Sequence, residues 1–107
     1  MNPQLQVFRA QLAQLQFNES HMVAQLACMS DLDHAETRLL AFDVAAELNP
    51  ARQSLLRERA DASARLGEAK RAMVAWQLEE LRKQIASCRE AVKTLSSPIA
   101  RPMGMQA

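Results

Sequence analysis

The sequence predicts an all-α chain folded as an antiparallel two-helix coiled-coil hairpin, and three observations carry that expectation. The first is composition. Ala, Leu, Gln, Glu, Arg and Lys dominate, Gly occurs twice and Tyr never, which is the residue usage of long helices. The second is a repeated Asn-Pro dipeptide, at Asn2-Pro3 and at Asn49-Pro50. Proline cannot sit inside an undisturbed helix but suits the first helical position, and Asn is a preferred cap just before it. The third is apolar spacing in alternating steps of three and four, the a/d pattern of a coiled coil. One domain is expected, a hairpin over residues 1–96 with arms 3–48 and 50–96 and its break at Asn49-Pro50, followed by a flexible C-terminal tail at 97–107.

In the first arm Leu5, Phe8, Leu12, Leu15, Met22, Leu26 and Met29 follow the a/d rhythm, with Glu19 as a polar occupant. The pattern then slips by one residue and resumes as Leu32, Ala35, Leu39, Phe42 and Ala46. The slip falls at Ser30-Asp31-Leu32-Asp33, a weak capping sequence, so a continuous but distorted helix is expected there. The second arm offers Leu55, Ala62, Leu66, Ala69, Met73 and Trp76, then shifts to Val74, Leu78, Leu81, Ile85, Cys88, Val92 and Leu95. From Ser96 the periodicity stops, in a stretch with two prolines and a glycine.

Folding back at the break pairs residues whose numbers sum to roughly 98, at one residue per 1.5 Å of rise along each arm. That register sets Asp43 near Arg57, Asp33 near Arg65 and Arg9 near Glu90, and brings Met22 level with Trp76, a favourable sulfur–aromatic neighbour. It also sets Gly67 level with Asp31, so that two weak points coincide and predict a bend. The halves carry opposite charge. Residues 1–49 hold two arginines against six acids, and residues 50–107 hold eleven basic residues against six acids, so the arms attract.

Val7, Phe17, Val23, Leu40, Val44 and Leu56 fall off this seam and are the candidate partner-binding residues. Left exposed on a lone hairpin, they predict a partner, most simply a second copy completing a four-helix bundle.

No chemistry-bearing constellation is visible. His21, Cys28, His34 and Cys88 have no CxxC or HxxxH spacing, so no metal is expected. Glu79 and Glu80 are adjacent and point to different sides of a helix, and no nucleophile motif or phosphate loop occurs. No catalytic residue and no cofactor is expected, and the chain reads as a non-enzyme. The first residues lack a secretory pattern, no apolar run is long enough to span a bilayer, and two cysteines make no disulfide framework. A cytoplasmic location is the default expectation.

The expected function is that of a helical-hairpin interaction protein: a scaffold, adaptor or small chaperone packing apolar helix faces against itself or a helical partner. The alternative is a nucleic-acid-associated accessory protein using the basic second arm. Arg57, Arg59, Arg65, Lys70, Arg71, Arg82, Lys83, Arg89 and Lys93 supply a stripe, but acids interrupt it and stacking aromatics are missing. In architecture alone the chain resembles the short stalk proteins of flagellar and type III export apparatuses. It lacks the Trp-x-Gly turn of the small secreted WXG100 hairpins and the Pro-rich double turn of type III needle subunits.

Overall fold

A computed structural model describes residues 2–96. The tail expected at 97–107 lies outside the described residues. Helix α1 runs Pro3–Ala46 and helix α2 runs Pro50–Ser96, and the two pack together as an all-α helical hairpin.

Both helices begin as their sequences dictate. Asn2 Oδ1 accepts from the backbone N–H groups of Gln4 (2.9 Å) and Leu5 (3.3 Å). Asn49 Oδ1 does the same for Ala51 (3.0 Å) and Arg52 (3.4 Å). In each case the cap satisfies N–H donors that have no partner within the helix, and proline occupies the adjoining position where no donor is needed.

The first arm ends at Ala46 rather than Leu48. Glu47, Leu48 and Asn49 form the turn, which is tied by side chains at both ends. The Asn49 N–H donates to Glu47 Oε1 (3.1 Å), and Gln53 Nε2 reaches back from α2 to the Val44 carbonyl (2.9 Å). The Val44 carbonyl, which also accepts from the Glu47 N–H at 3.4 Å, thereby gains a second donor at the end of α1. Leu48 is 93% exposed.

The described residues divide into two packed units, one formed by residues 2–21 with 78–96 and the other by Met22–Gln77. In the first unit Leu5, Phe8, Leu12 and Leu15 of α1 are half-buried against α2. Leu78, Leu81, Ile85 and Cys88 of α2 form its buried core, at the spacing that keeps one helix face inward. The Cys88 thiol donates to the Phe8 carbonyl at 3.2 Å, and Arg82 Nε donates to Glu19 Oε2 at 3.0 Å along the flank. Lys83 donates to Glu80 at 2.9 Å; that hydrogen bond, reinforced by the Glu80 charge, raises the lysine above its ordinary pKa.

The second unit departs from the expected seam. On α1 the half-buried positions are Met22, Leu26, Met29, Ser30, Asp33, Leu40 and Val44, followed by Glu47 in the turn. The three-and-four spacing therefore continues through Asp33 without the one-residue slip. Leu32, Leu39 and Phe42, expected inside, are exposed. On α2 the half-buried positions are Gln53, Leu56, Ala60, Ser63, Gly67, Arg71 and Val74, whereas Leu55, Leu66, Met73 and Trp76 are exposed. The helix runs unbroken through Ser30–Asp33, and α2 runs unbroken through Gly67.

The ion pairs move with the seam. Asp33 pairs with Arg71, not Arg65: Arg65 falls two residues before Gly67, which turns it by about 200° to the outer side of α2. Gly67 lies against Asp33 rather than Asp31. Trp76 likewise points away from the seam, so it is not the neighbour expected for Met22.

Candidate interaction surface

The seam of the second unit is polar at its centre. Asp33 Oδ2 is enclosed and lies against the Arg71 guanidinium. The Ser63 hydroxyl donates to Glu36 Oε1. Opposite Asp33 stands Gly67, where a Cβ would meet the Asp33 carboxylate oxygens at 2.9 Å. Glycine leaves room there for the Asp33 carboxylate, which a side chain at this position would have to displace. With Ala60 and Ser63 beside it on α2, the small residues let the helices come together where bulkier ones would hold them apart.

The apolar residues that the seam leaves out are arranged in order. On α1, Leu32 and Leu39 each precede a half-buried position, Asp33 and Leu40, by one residue. On α2, Leu55, Leu66 and Met73 each precede Leu56, Gly67 and Val74 by one residue. One residue back turns a side chain by about 100° around its helix. In an antiparallel pair the two helices run in opposite directions, so the same backward step turns both stripes toward the same side of the hairpin. Leu32, Leu39, Leu55, Leu66 and Met73 thus share one face with Ala35, Ala46, Ala62 and Ala69, and on α2 the same step adds Arg52, Arg59 and Lys70 to it. Phe42, 75% exposed, stands at its outer edge; Trp76, 65% exposed and two residues from the inward Val74 and Leu78, points to the side opposite the seam, as Phe17 does.

The equivalent positions in the first unit are polar. There the residues just before inward positions include Gln4, Gln11, Gln14 and Asn18 on α1 and Glu80, Gln84, Ser87, Glu90 and Thr94 on α2, and Val7 is an exposed apolar exception. The apolar face is therefore a property of the second unit and not of the heptad position.

The six candidate partner-binding residues divide. Leu40, Val44 and Leu56 are half-buried in the seam, so their expected off-seam position is corrected. Val7, Phe17 and Val23 remain exposed, but relative to the seam they fall at heptad positions c, f and e, which point in three directions. They form no common face. The residues that do form one had been assigned to the seam. Following the strong Leu78–Cys88 spacing backwards through Val74, Arg71 and Gly67 would have revealed the exchange, at the cost of accepting charged and small residues inside.

Among the described residues no group of three His, Cys, Asp or Glu side chains is placed to hold a metal ion. Both cysteines are free, Cys28 exposed and Cys88 buried. No helix among them is long and apolar enough to cross a membrane.

Fold and surface together define a helical hairpin in which the unit containing the turn carries polar residues along its half-buried seam and exposes an apolar face. No protein-family model matches this chain, and neither the curated proteins nor the solved structures compared with it include a similar one.

Proposed function

We propose that this chain is a non-enzymatic interaction protein, a scaffold, adaptor or small chaperone, which works by packing the apolar face of its Met22–Gln77 unit against another helical surface. The observation that supports this is the exchange of stripes. The hairpin keeps Asp33, Glu36, Ser63 and Arg71 along its seam while Leu32, Leu39, Leu55, Leu66 and Met73 stay in water. An exposed apolar surface of this kind, edged by Arg52, Arg59 and Lys70 on α2, marks a binding site more often than a solvated one. Helical partners suit it, because two parallel rows of side chains with alanines between them offer grooves to the ridges of another helix.

Site-specific photo-crosslinking tests the reading. A photoreactive residue in place of Leu39 should give a protein–protein product in cells that make the chain, and the same residue in place of Gln84 should give none. A nucleic-acid product from position 39, or no product from it at all, would sink the proposal.

A further inference from the structure

Resting on that reading, we infer that the occupant of the apolar face is a second copy of this chain, docked so that α1 of one copy lies along α2 of the other. Three observations select this occupant over an unrelated helix.

The first is charge. Within the Met22–Gln77 unit, α1 carries Asp31, Asp33, Glu36 and Asp43 against Arg38, while α2 carries six basic residues against Glu58, Asp61 and Glu68. Asp33 and Arg71 already pair with each other in the seam; the remaining charges leave α1 acidic and α2 basic by the same margin. An acidic or a basic partner would match one helix and be repelled by the other. A second copy turned about a two-fold axis sets acidic α1 on basic α2 at both edges, which is the self-complementarity a two-fold interface requires.

The second is area. Leu32, Leu39, Phe42, Leu55, Leu66 and Met73 are each between 56% and 75% exposed. Even at about 200 Å² apiece, the area of a large aromatic side chain, the six offer at most roughly 800 Å². A stable interface buries roughly 800 Å² on each partner. The face, with Phe42 at its rim, is no larger than one side of a dimer.

The third is geometry. Each half of the face is a three-and-four stripe on a helix already paired antiparallel with its neighbour. Two such faces laid together with α1 over α2 give four helices in which every adjacent pair is antiparallel, the packing of a four-helix bundle. The seam then becomes one side of a shared core. Leu66 and Met73, too bulky for the close contact at Gly67, fill the space between the hairpins.

Sedimentation of the purified full chain, unaltered and as single variants, tests the inference. The unaltered protein should be a dimer at micromolar concentration. Leu39→Glu and Met73→Glu should each weaken the dimer more than tenfold while the far-ultraviolet spectrum stays helical, because both side chains are exposed in the single hairpin. Leu66→Ser is the milder variant and should weaken it in the same direction. Phe17→Glu, which lies off the face, should leave the dimer unchanged. A folded monomer at concentrations up to about 100 μM, or a dimer indifferent to all three face variants, would overturn the second-copy inference. The wider interaction reading would still be judged separately, since a crosslink from position 39 to a different protein would support it even with this chain monomeric.

Discussion

Gly67 shows how one hydrogen atom in place of a side chain arranges the seam around it. The Asp33 carboxylate fills the space a Cβ would need and from there meets Arg71. Replacing a helix-interior glycine by alanine ordinarily stabilises by about 1 kcal/mol. Here the new methyl must displace a carboxylate that is about one-third exposed and holds an ion pair worth up to about 1 kcal/mol after solvent screening. Gly67→Ala alone should therefore leave stability to urea nearly unchanged. In an Asp33→Ala background, where nothing stands in the way, the same substitution should raise stability by close to the full glycine–alanine difference. Equal effects in both backgrounds would mean that Asp33 and Gly67 are not in contact.

At the scale of the helices, burial is concentrated in one stretch of α2. Ile85 is 3% exposed, and with Leu78, Leu81 and Cys88 it makes up the buried set among the described residues. Ile85→Ala should cost about 3 kcal/mol, the transfer term plus the cavity left in a packed site. Phe17→Ala, at a larger side chain that is 67% exposed and off every shared face, should stay within about 0.5 kcal/mol of the unaltered protein. Denaturant titration of the two variants measures the contrast. A larger loss at Phe17 would place the core elsewhere. The caps were readable without coordinates, because Asn before Pro at a helix start needs only local chemistry. The tie from Gln53 to the Val44 carbonyl was not, since it joins residues on opposite sides of the turn.

For the molecule as a whole, the decisive geometry is that α1 and α2 of the same chain pair with each other. The position a Cβ would take at Gly67 lies 3.0 Å from Asp33 Cγ, so cysteines at these two positions would have Cβ atoms near enough to bridge. Asp33→Cys with Gly67→Cys, in a background lacking Cys28 and Cys88, should oxidise to a disulfide within one chain and leave the mass monomeric under denaturing, non-reducing conditions. Covalent dimers as the main product would show that the helices are exchanged between copies, and the hairpin described for one chain would then be half of a swapped pair.

Composition, the two Asn-Pro caps and the three-and-four spacing were enough to establish two long helices folded back at Asn49-Pro50, because helix propensity, capping and the reach of a turn are local. The choice of stripe in the Met22–Gln77 unit was not available to the same reasoning. Hydrophobicity alone ranks Leu32, Leu39, Phe42, Leu66 and Met73 above Asp33, Glu36, Ser63, Gly67 and Arg71 for the inside, and the residues were assigned accordingly. Which stripe faces the other helix depends on the phase at which the turn sets Val44 against Gln53, and on which side chains allow the backbones to approach. Small and paired polar residues satisfy both conditions at that seam, and larger apolar ones do not. Periodicity names the stripes of a helix; only the facing helix decides which of them is inside.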